Sequence, residues 1–242
     1  MTALLQIQNI SKSFRGLSAV RNVSWAVKAG TIVALIGPNG AGKTTLFNMV
    51  AGALQPDSGQ IHFDGARIDG LRPDQACGAG IARTFQIVKP FAALSVLDNV
   101  VVGSLKRAAG VSEAKQQSAT ILAQLGLRPK SDVPASMLTF PERKRLELAR
   151  ALATRPKLLL LDEVMAGLRP TECDEMVALL REINQRDGIT ILLIEHVMRP
   201  IMALAQDVLV LHHGEVIVQD APAQVVRNPA VLECYLGEDT EI

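Results

Sequence analysis

The chain has 242 residues, enough for one domain with a full core, and its 25 Lys plus Arg are matched by 24 Asp plus Glu. No surplus of charge points to nucleic acid or to an anionic membrane surface, and aromatic residues, at 3 %, are too few for base-stacking platforms. Hydrophobic residues make up 48 %, yet no apolar run approaches the roughly 20 residues of a membrane-spanning helix.

The start, Met1-Thr2-Ala3-Leu4-Leu5-Gln6, lacks the basic opening and long apolar stretch of a signal peptide. Cys77, Cys173 and Cys234 are odd in number and in no ligand spacing, so disulfides and zinc are not expected and the protein reads as soluble and cytosolic. Residues 5–10 and 23–27 alternate with period two, and the second run closes at Lys28-Ala29-Gly30; both predict short antiparallel strands. Next comes an apolar, β-branched run over 31–36, of the kind a buried parallel strand needs.

It leads directly into Gly37-Pro38-Asn39-Gly40-Ala41-Gly42-Lys43-Thr44. This fits the G-x-x-x-x-G-K-[ST] phosphate-binding loop at every defined position. The glycines let backbone N–H groups converge on phosphate oxygens, and the helix that 45–51 can continue adds its dipole. Lys43 is expected to reach the β- and γ-phosphates, and the Thr44 hydroxyl to ligate Mg²⁺. Strand, glycine loop and helix stand in the order that the motif requires, so the chain is expected to bind a nucleoside triphosphate.

Residues 59–65 predict another antiparallel strand. From about 74 to 154 the pattern turns helical, with helices over 114–125 and 143–154 and breaks at Arg128-Pro129-Lys130 and Asp132-Val133-Pro134. This block is expected to be a helical lobe inserted into the α/β core. Thr139 followed three residues later by Glu142 is a capping box. The core resumes with a buried strand over 157–163, a helix over 171–186, a buried strand over 188–194 and a hairpin of 207–211 with 214–219 turning at His212-His213-Gly214. Strands alternating with helices predict one α/β domain, 1–242, with a mostly parallel sheet.

Asp162 and Glu163 close an apolar strand, where an α/β sheet places its ligand-facing residues. Asp162 is a candidate to hold Mg²⁺ and Glu163 to orient or deprotonate an attacking water; the bland alternative is a pair of carboxylates capping a strand at the surface. His196, after the strand over 191–194, can hydrogen-bond a phosphate, although a histidine at a strand end is also a common structural residue.

In order and spacing these motifs resemble the ATP-binding subunits of ABC transporters over essentially the whole chain, and most of all the branched-chain amino-acid uptake ATPases. The likeness rests on Ser13-Phe14-Arg15-Gly16-Leu17-Ser18-Ala19-Val20, Arg83-Thr84-Phe85-Gln86, Ala166-Gly167-Leu168-Arg169-Pro170 and the tail Asn228-Pro229-Ala230-Val231-Leu232-Glu233-Cys234-Tyr235-Leu236-Gly237. The lipopolysaccharide-export ATPase is similar too, especially at that tail. The resemblance implies a P-loop NTPase core with a small antiparallel β-subdomain and an inserted helical subdomain. It implies ATP and Mg²⁺ as ligands, with Phe14, Val20, Asn39, Gly40, Ala41, Gly42, Lys43, Thr44 and Thr45 around the nucleotide. Thr44, Gln86 and Asp162 fall on the metal side, and Glu163, His196 and Gln86 in catalysis. By their chemistry alone, Phe14 is as compatible with the core as with adenine stacking, and Gln86 with a solvated loop.

The family's signature loop, Leu-Ser-Gly-Gly-Gln, serves the nucleotide of the opposite subunit. The matching positions here read Leu138, Thr139, Phe140, Pro141 and Glu142. Pro141 has no N–H to donate, and Phe140 adds bulk where glycine would be free. The helix start is kept, so the expected loss lies in phosphate contacts rather than in the fold. Val164 and Arg169 are smaller departures. The resemblance further implies transmembrane permease subunits, a second ATPase subunit of the same or a different kind, a solute-binding protein, and a place on the cytoplasmic face of the cell membrane. The alternatives are a nucleotide-binding regulatory module whose signature has decayed past hydrolysis, and the ATPase of a lipopolysaccharide or lipid exporter.

Overall fold

A computed structural model describes residues 3–86 and 89–236 of the chain. Its first half runs β1 (Ala3–Phe14), β2 (Leu17–Lys28), β3 (Ile32–Ile36), α1 (Lys43–Val50), β4 (Ser58–Phe63), β5 (Ala66–Arg67), α2 (Pro73–Ala79), β6 (Ile81–Arg83), α3 (Val96–Ser104) and α4 (Val111–Gln124). The second half runs α5 (Phe140–Leu152), β7 (Leu158–Asp162), α6 (Pro170–Asp187), β8 (Thr190–Ile194), α7 (Met198–Leu204), β9 (Asp207–His212), β10 (Glu215–Asp220), α8 (Pro222–Val225) and α9 (Pro229–Leu236).

Six strands form the central sheet in the order β10-β9-β3-β8-β7-β6, parallel except for β10. Strands β3, β7 and β8 are buried along their whole length, which is why they read as unbroken apolar runs rather than as alternations. Their side chains still part with period two. Ile32, Ala34, Leu159, Leu161, Ile191 and Leu193 face a core shared with α5, α6 and the helical lobe. Val33, Leu35, Leu158, Leu160, Leu192 and Ile194 face a second core. That second core takes in Leu46, Phe47 and Met49 of α1 together with Trp25, Ile61 and Phe63 of the antiparallel sheet β2-β1-β4-β5.

Two features exceed the sequence expectation. The first strands are twelve residues each rather than five or six, and they meet in a tight hairpin whose turn residues, Arg15 and Gly16, have φ 46° and 89°. Residues at this tip are mostly exposed on both faces, so main-chain pairing rather than burial extends the strands, and no alternation marks it. The other is β6, a three-residue edge strand beside β7 inside the stretch 74–154 that reads as helical; it is too short to show a period. Helix α5 begins at Phe140 rather than at 143, because Phe140, Pro141 and Glu142 form its first turn. Thr139 is the N-cap, and its N–H donates to Glu142 Oε2 at 2.9 Å. The expected capping box is therefore present, with proline where the helix tolerates it.

Candidate active site

The carboxyl ends of β3, β6, β7 and β8 open onto one region, as parallel sheets arrange their ligand-facing loops. From β3 comes the glycine loop. Gly37 and Gly42 have φ 145° and 100°, and a Cβ on either would run into a backbone carbonyl, of Leu211 and Ala19 respectively. Gly42 is also the N-cap of α1, whose first turn holds no acidic residue. Asn39, Gly40 and Thr44 are exposed, Thr45 is half-buried and Ala41 is buried; a Cβ on Gly40 would meet nothing within 4 Å. Lys43 Nζ donates to the carbonyls of Gly37 and Pro38 at 2.7 Å each, which holds the loop curled and its ammonium inside it. Val20 is buried, with its Cγ2 facing Gly42. Phe14, 42 % exposed at the hairpin tip with Lys12 Nζ 5.7 Å from its ring centroid, is not a core residue.

The ends of β6, β7 and β8 converge on one carboxylate. Glu163 accepts from Gln86 Nε2 through Oε2 at 2.8 Å and lies 2.7 Å from His196 Nε2 through Oε1. With the carboxylate as acceptor, Nε2 is the protonated ring nitrogen. Glu163 sits at φ 49°, a conformation costly for a residue with a Cβ. It is held there from both sides: its N–H donates to Ile194 O at 3.0 Å and its carbonyl accepts from Lys144 Nζ at 3.1 Å. The three residues proposed for catalysis from the sequence are thus together, and Gln86 is no isolated loop residue.

Asp162 is buried next to this cluster, and its Oδ2 accepts from Arg83 Nη2 at 3.0 Å. Thr44, Gln86 and Asp162 line one cavity of about 490 Å³. A hydroxyl, an amide oxygen and a carboxylate are hard oxygen donors suited to Mg²⁺, which keeps several waters and needs few protein ligands. The open, anion-receiving loop and this donor set fit Mg·ATP.

Sequence reasoning missed four supporting residues. Lys144 is buried on α5, with Nζ 5.6 Å from the Phe140 ring centroid. Glu147, one turn on, accepts the Phe85 N–H at 2.7 Å, and burial raises its pKa despite that bond. Glu195 is buried beside His196 and accepts the Met165 N–H at 3.0 Å. Burial pushes its pKa up to about 7, with the Glu163 carboxylate adding to the rise and the Met165 N–H and Lys144 opposing it. Arg83 is the fourth. The signature segment meets its own chain: a Cβ on Gly167 would lie 3.1 Å from the Phe140 ring, which is 47 % exposed. Arg169 is an exposed N-cap whose N–H donates to Glu172 Oε2 at 2.8 Å, and Val164 is buried.

The family description "ABC transporter" matches residues 20–166. This chain belongs to the ABC transporter family. It is an ABC ATPase, the ATP-binding subunit of a transporter. A second description, "Branched-chain amino acid ATP-binding cassette transporter", matches residues 215–241. The high-affinity branched-chain amino acid transport ATP-binding protein LivG of Salmonella typhimurium is 38 % identical over 97 % of this chain and 98 % of its own. The lipopolysaccharide export system ATP-binding protein LptB of Acidithiobacillus ferridurans is 35 % identical over the full length of both. Among solved structures, the ADP conformation of the ABC transporter cassette MJ1267 superposes with a TM-score of 0.89 at 30 % identity, covering 98 % of this chain and all of that one. Among the described residues of this ABC ATPase, no helix is long and apolar enough to cross a membrane.

Proposed function

We propose that this chain hydrolyses Mg·ATP to power the import of branched-chain or other small amino acids. It would work as one half of a head-to-tail ATPase pair on the cytoplasmic face of a membrane, beneath permease subunits that receive solute from a binding protein. The observation that carries the catalytic part is the Glu163 carboxylate held between Gln86 and His196 at the end of β7. The solute class rests on the match at 215–241 and on the LivG likeness. The LptB likeness keeps lipid export as a second reading.

In this reading the loop N–H groups around 39–45 and Lys43 receive the phosphate oxygens, and Phe14 stacks on the base. Thr44 and Asp162, with Gln86, would hold Mg²⁺, which would supply charge neutralisation at the phosphates. Glu163 takes a proton from water as the water oxygen bonds to the γ-phosphorus. The bridging oxygen leaves with the electron pair of its broken bond, as part of ADP. His196 and Gln86 fix the Glu163 carboxylate and then the water. For the permease, we propose the apolar cavity of about 350 Å³ lined by Cys77, Ile81, Phe85, Val102 and Arg150 as the docking groove; Phe85 within it is 60 % exposed.

Pro141 removes one N–H from the signature loop that would serve the partner's γ-phosphate. A missing hydrogen bond to developing phosphoryl charge costs about 1.5–3 kcal/mol, or roughly ten- to a hundredfold in rate. In a homodimer both sites are weakened, and in a heterodimer only the partner's is. Steady-state ATP hydrolysis by the purified chain, beside Glu163→Gln and Pro141→Gly, tests this. Loss of at least ~100-fold in Glu163→Gln and a gain in Pro141→Gly are expected of a homodimer. No activity in wild type, recovered in Pro141→Gly, identifies a heterodimer. Bound ATP with no hydrolysis in any form favours a regulatory module or an ATPase that works only with its membrane partner, and assay beside the permease separates the two. Uptake of radiolabelled leucine by vesicles carrying the chain and its permease tests the solute.

A further inference from the structure

Arg83 ends the edge strand β6, yet its guanidinium points inward. Nη2 donates to Asp162 Oδ2 at 3.0 Å, and Nη1 donates to Asn48 Oδ1 on α1. The ion pair is nearly dry, with the Arg83 side chain 15 % and the Asp162 side chain 6 % exposed. Arg83 Nε is buried without a hydrogen-bond partner among the described residues. The guanidinium carbon lies 5.3 Å from the centroid of the Phe85 ring.

A buried arginine kept for stability alone is expected to have its donor fork satisfied, because removing the charge from water is otherwise poorly offset. This one leaves an N–H unpaired and meets its carboxylate through a single nitrogen. Its partner is also the carboxylate that lines one cavity with Thr44, Gln86 and Arg83 itself. Any cation entering that cavity meets a positive charge already drawing on Asp162.

We propose that Arg83 is the resident counter-ion of Asp162, a positioning residue that neutralises this carboxylate before Mg·ATP is loaded and competes with the metal for it. The inference rests on the reading of Asp162 as a metal-side residue. Two consequences follow from charge alone. Without Arg83, Asp162 is an uncompensated buried anion, so the metal-free protein is destabilised. For the same reason Asp162 attracts a dication more strongly, so less Mg²⁺ is needed to secure the nucleotide.

The test uses the purified full chain as wild type, Arg83→Met, Arg83→Lys and Asp162→Asn. It measures Tm with and without Mg·ATP, and Mg²⁺ titrations of a fluorescent ATP analogue's binding, with chelator as the zero point. In Arg83→Met the metal-free Tm is expected to fall by roughly 6–12 °C. Mg·ATP should recover most of that deficit while ATP with chelator recovers none of it, and the Mg²⁺ concentration at half-saturation should drop roughly tenfold. Arg83→Lys keeps a cation and loses the fork, so its Mg²⁺ requirement should stay near wild type whatever its Tm; it also serves if Arg83→Met does not fold. An equal Tm deficit with and without Mg·ATP, or an Mg²⁺ requirement that follows Tm in Arg83→Lys, overturns the proposal and leaves Arg83 a brace between α1 and β7. If binding to wild type ignores Mg²⁺ and Asp162→Asn changes nothing, the metal-side reading of Asp162 itself falls.

Discussion

Replacing Glu195 by glutamine should stabilise the protein in a way that depends on pH. Glu195 is buried next to His196, and burial pushes its pKa from the ordinary 4.5 up to about 7. An unfolded chain ionises this carboxyl near 4.5, whereas the folded chain keeps the proton until about pH 7. Between those values the folded state binds more protons than the unfolded one, so stability falls as pH rises through the interval. The contribution is fully present below about pH 4.5 and lost above about pH 7. At ~1.4 kcal/mol per pH unit over about 2.5 pH units, the loss amounts to about 3 kcal/mol.

Glutamine cannot ionise and keeps a carbonyl oxygen for the Met165 N–H that Glu195 Oε1 accepts at 3.0 Å. The Tm of Glu195→Gln should therefore match wild type near pH 5, exceed it increasingly towards pH 7, and stay about 6–12 °C higher at pH 8. Thermal melts of the nucleotide-free chain between pH 5 and 8.5 measure this. Glu147, also raised by burial, titrates in both proteins and cancels from the difference. A Tm gap that does not change with pH, or one that shrinks as pH rises, refutes the assignment of a protonated Glu195 at the base of the site.

Lys144→Met should lower kcat roughly ten- to a hundredfold with little change in KM, because the Lys144 ammonium holds the backbone of Glu163 in its left-handed conformation. Stopped assays over a range of ATP concentrations would separate the two constants, and a change confined to KM would count against the role. Thr139→Ala removes the N-cap of α5 and should cost about 1 kcal/mol, read as a Tm loss of about 2–4 °C.

Legibility in the sequence followed the physics of each element. The glycine loop is readable because phosphate binding needs backbone shape, and backbone shape needs glycine at fixed positions. Strands β3, β7 and β8 are readable because burial on both faces leaves unbroken apolar runs. The proposed catalytic grouping was less open to view, since Gln86, Glu163 and His196 meet only when β6, β7 and β8 lie side by side, and no spacing along the chain encodes that. Lys144 and Glu147 did leave a trace. They stand at i and i+3 of a helix, on the same stripe as Leu148 and Ala151, all buried; a charged pair on an apolar stripe signals burial with partners. Arg83 left none, because the three-residue strand that aims it shows no period.

The signature segment shows why the departure at Pro141 need not spread. Leu138–Glu142 carries two separable duties. One is internal: the Thr139 and Glu142 cap starts α5, the Phe140 ring packs on Gly167, and Lys144 one turn on secures Glu163. The other is the proposed delivery of N–H groups to a partner's nucleotide, and only there does a missing N–H matter. Proline in the first helical turn is neutral for the internal duty. Pro141→Gly should therefore change turnover while lowering Tm by no more than about 4 °C, since exchanging a compatible proline for glycine costs up to about 1 kcal/mol through the unfolded chain. Lys144→Met should slow the site of its own chain whatever partner supplies the signature. Mixed dimers carrying Pro141→Gly and Glu163→Gln in different subunits (the same composite site), or both in one subunit beside a wild-type partner (opposite sites), would resolve the duties. With both changes serving the same composite site, the gain from glycine should vanish, and with them in opposite sites it should persist. Equal gain in the two arrangements would mean that the segment does not act across the pair.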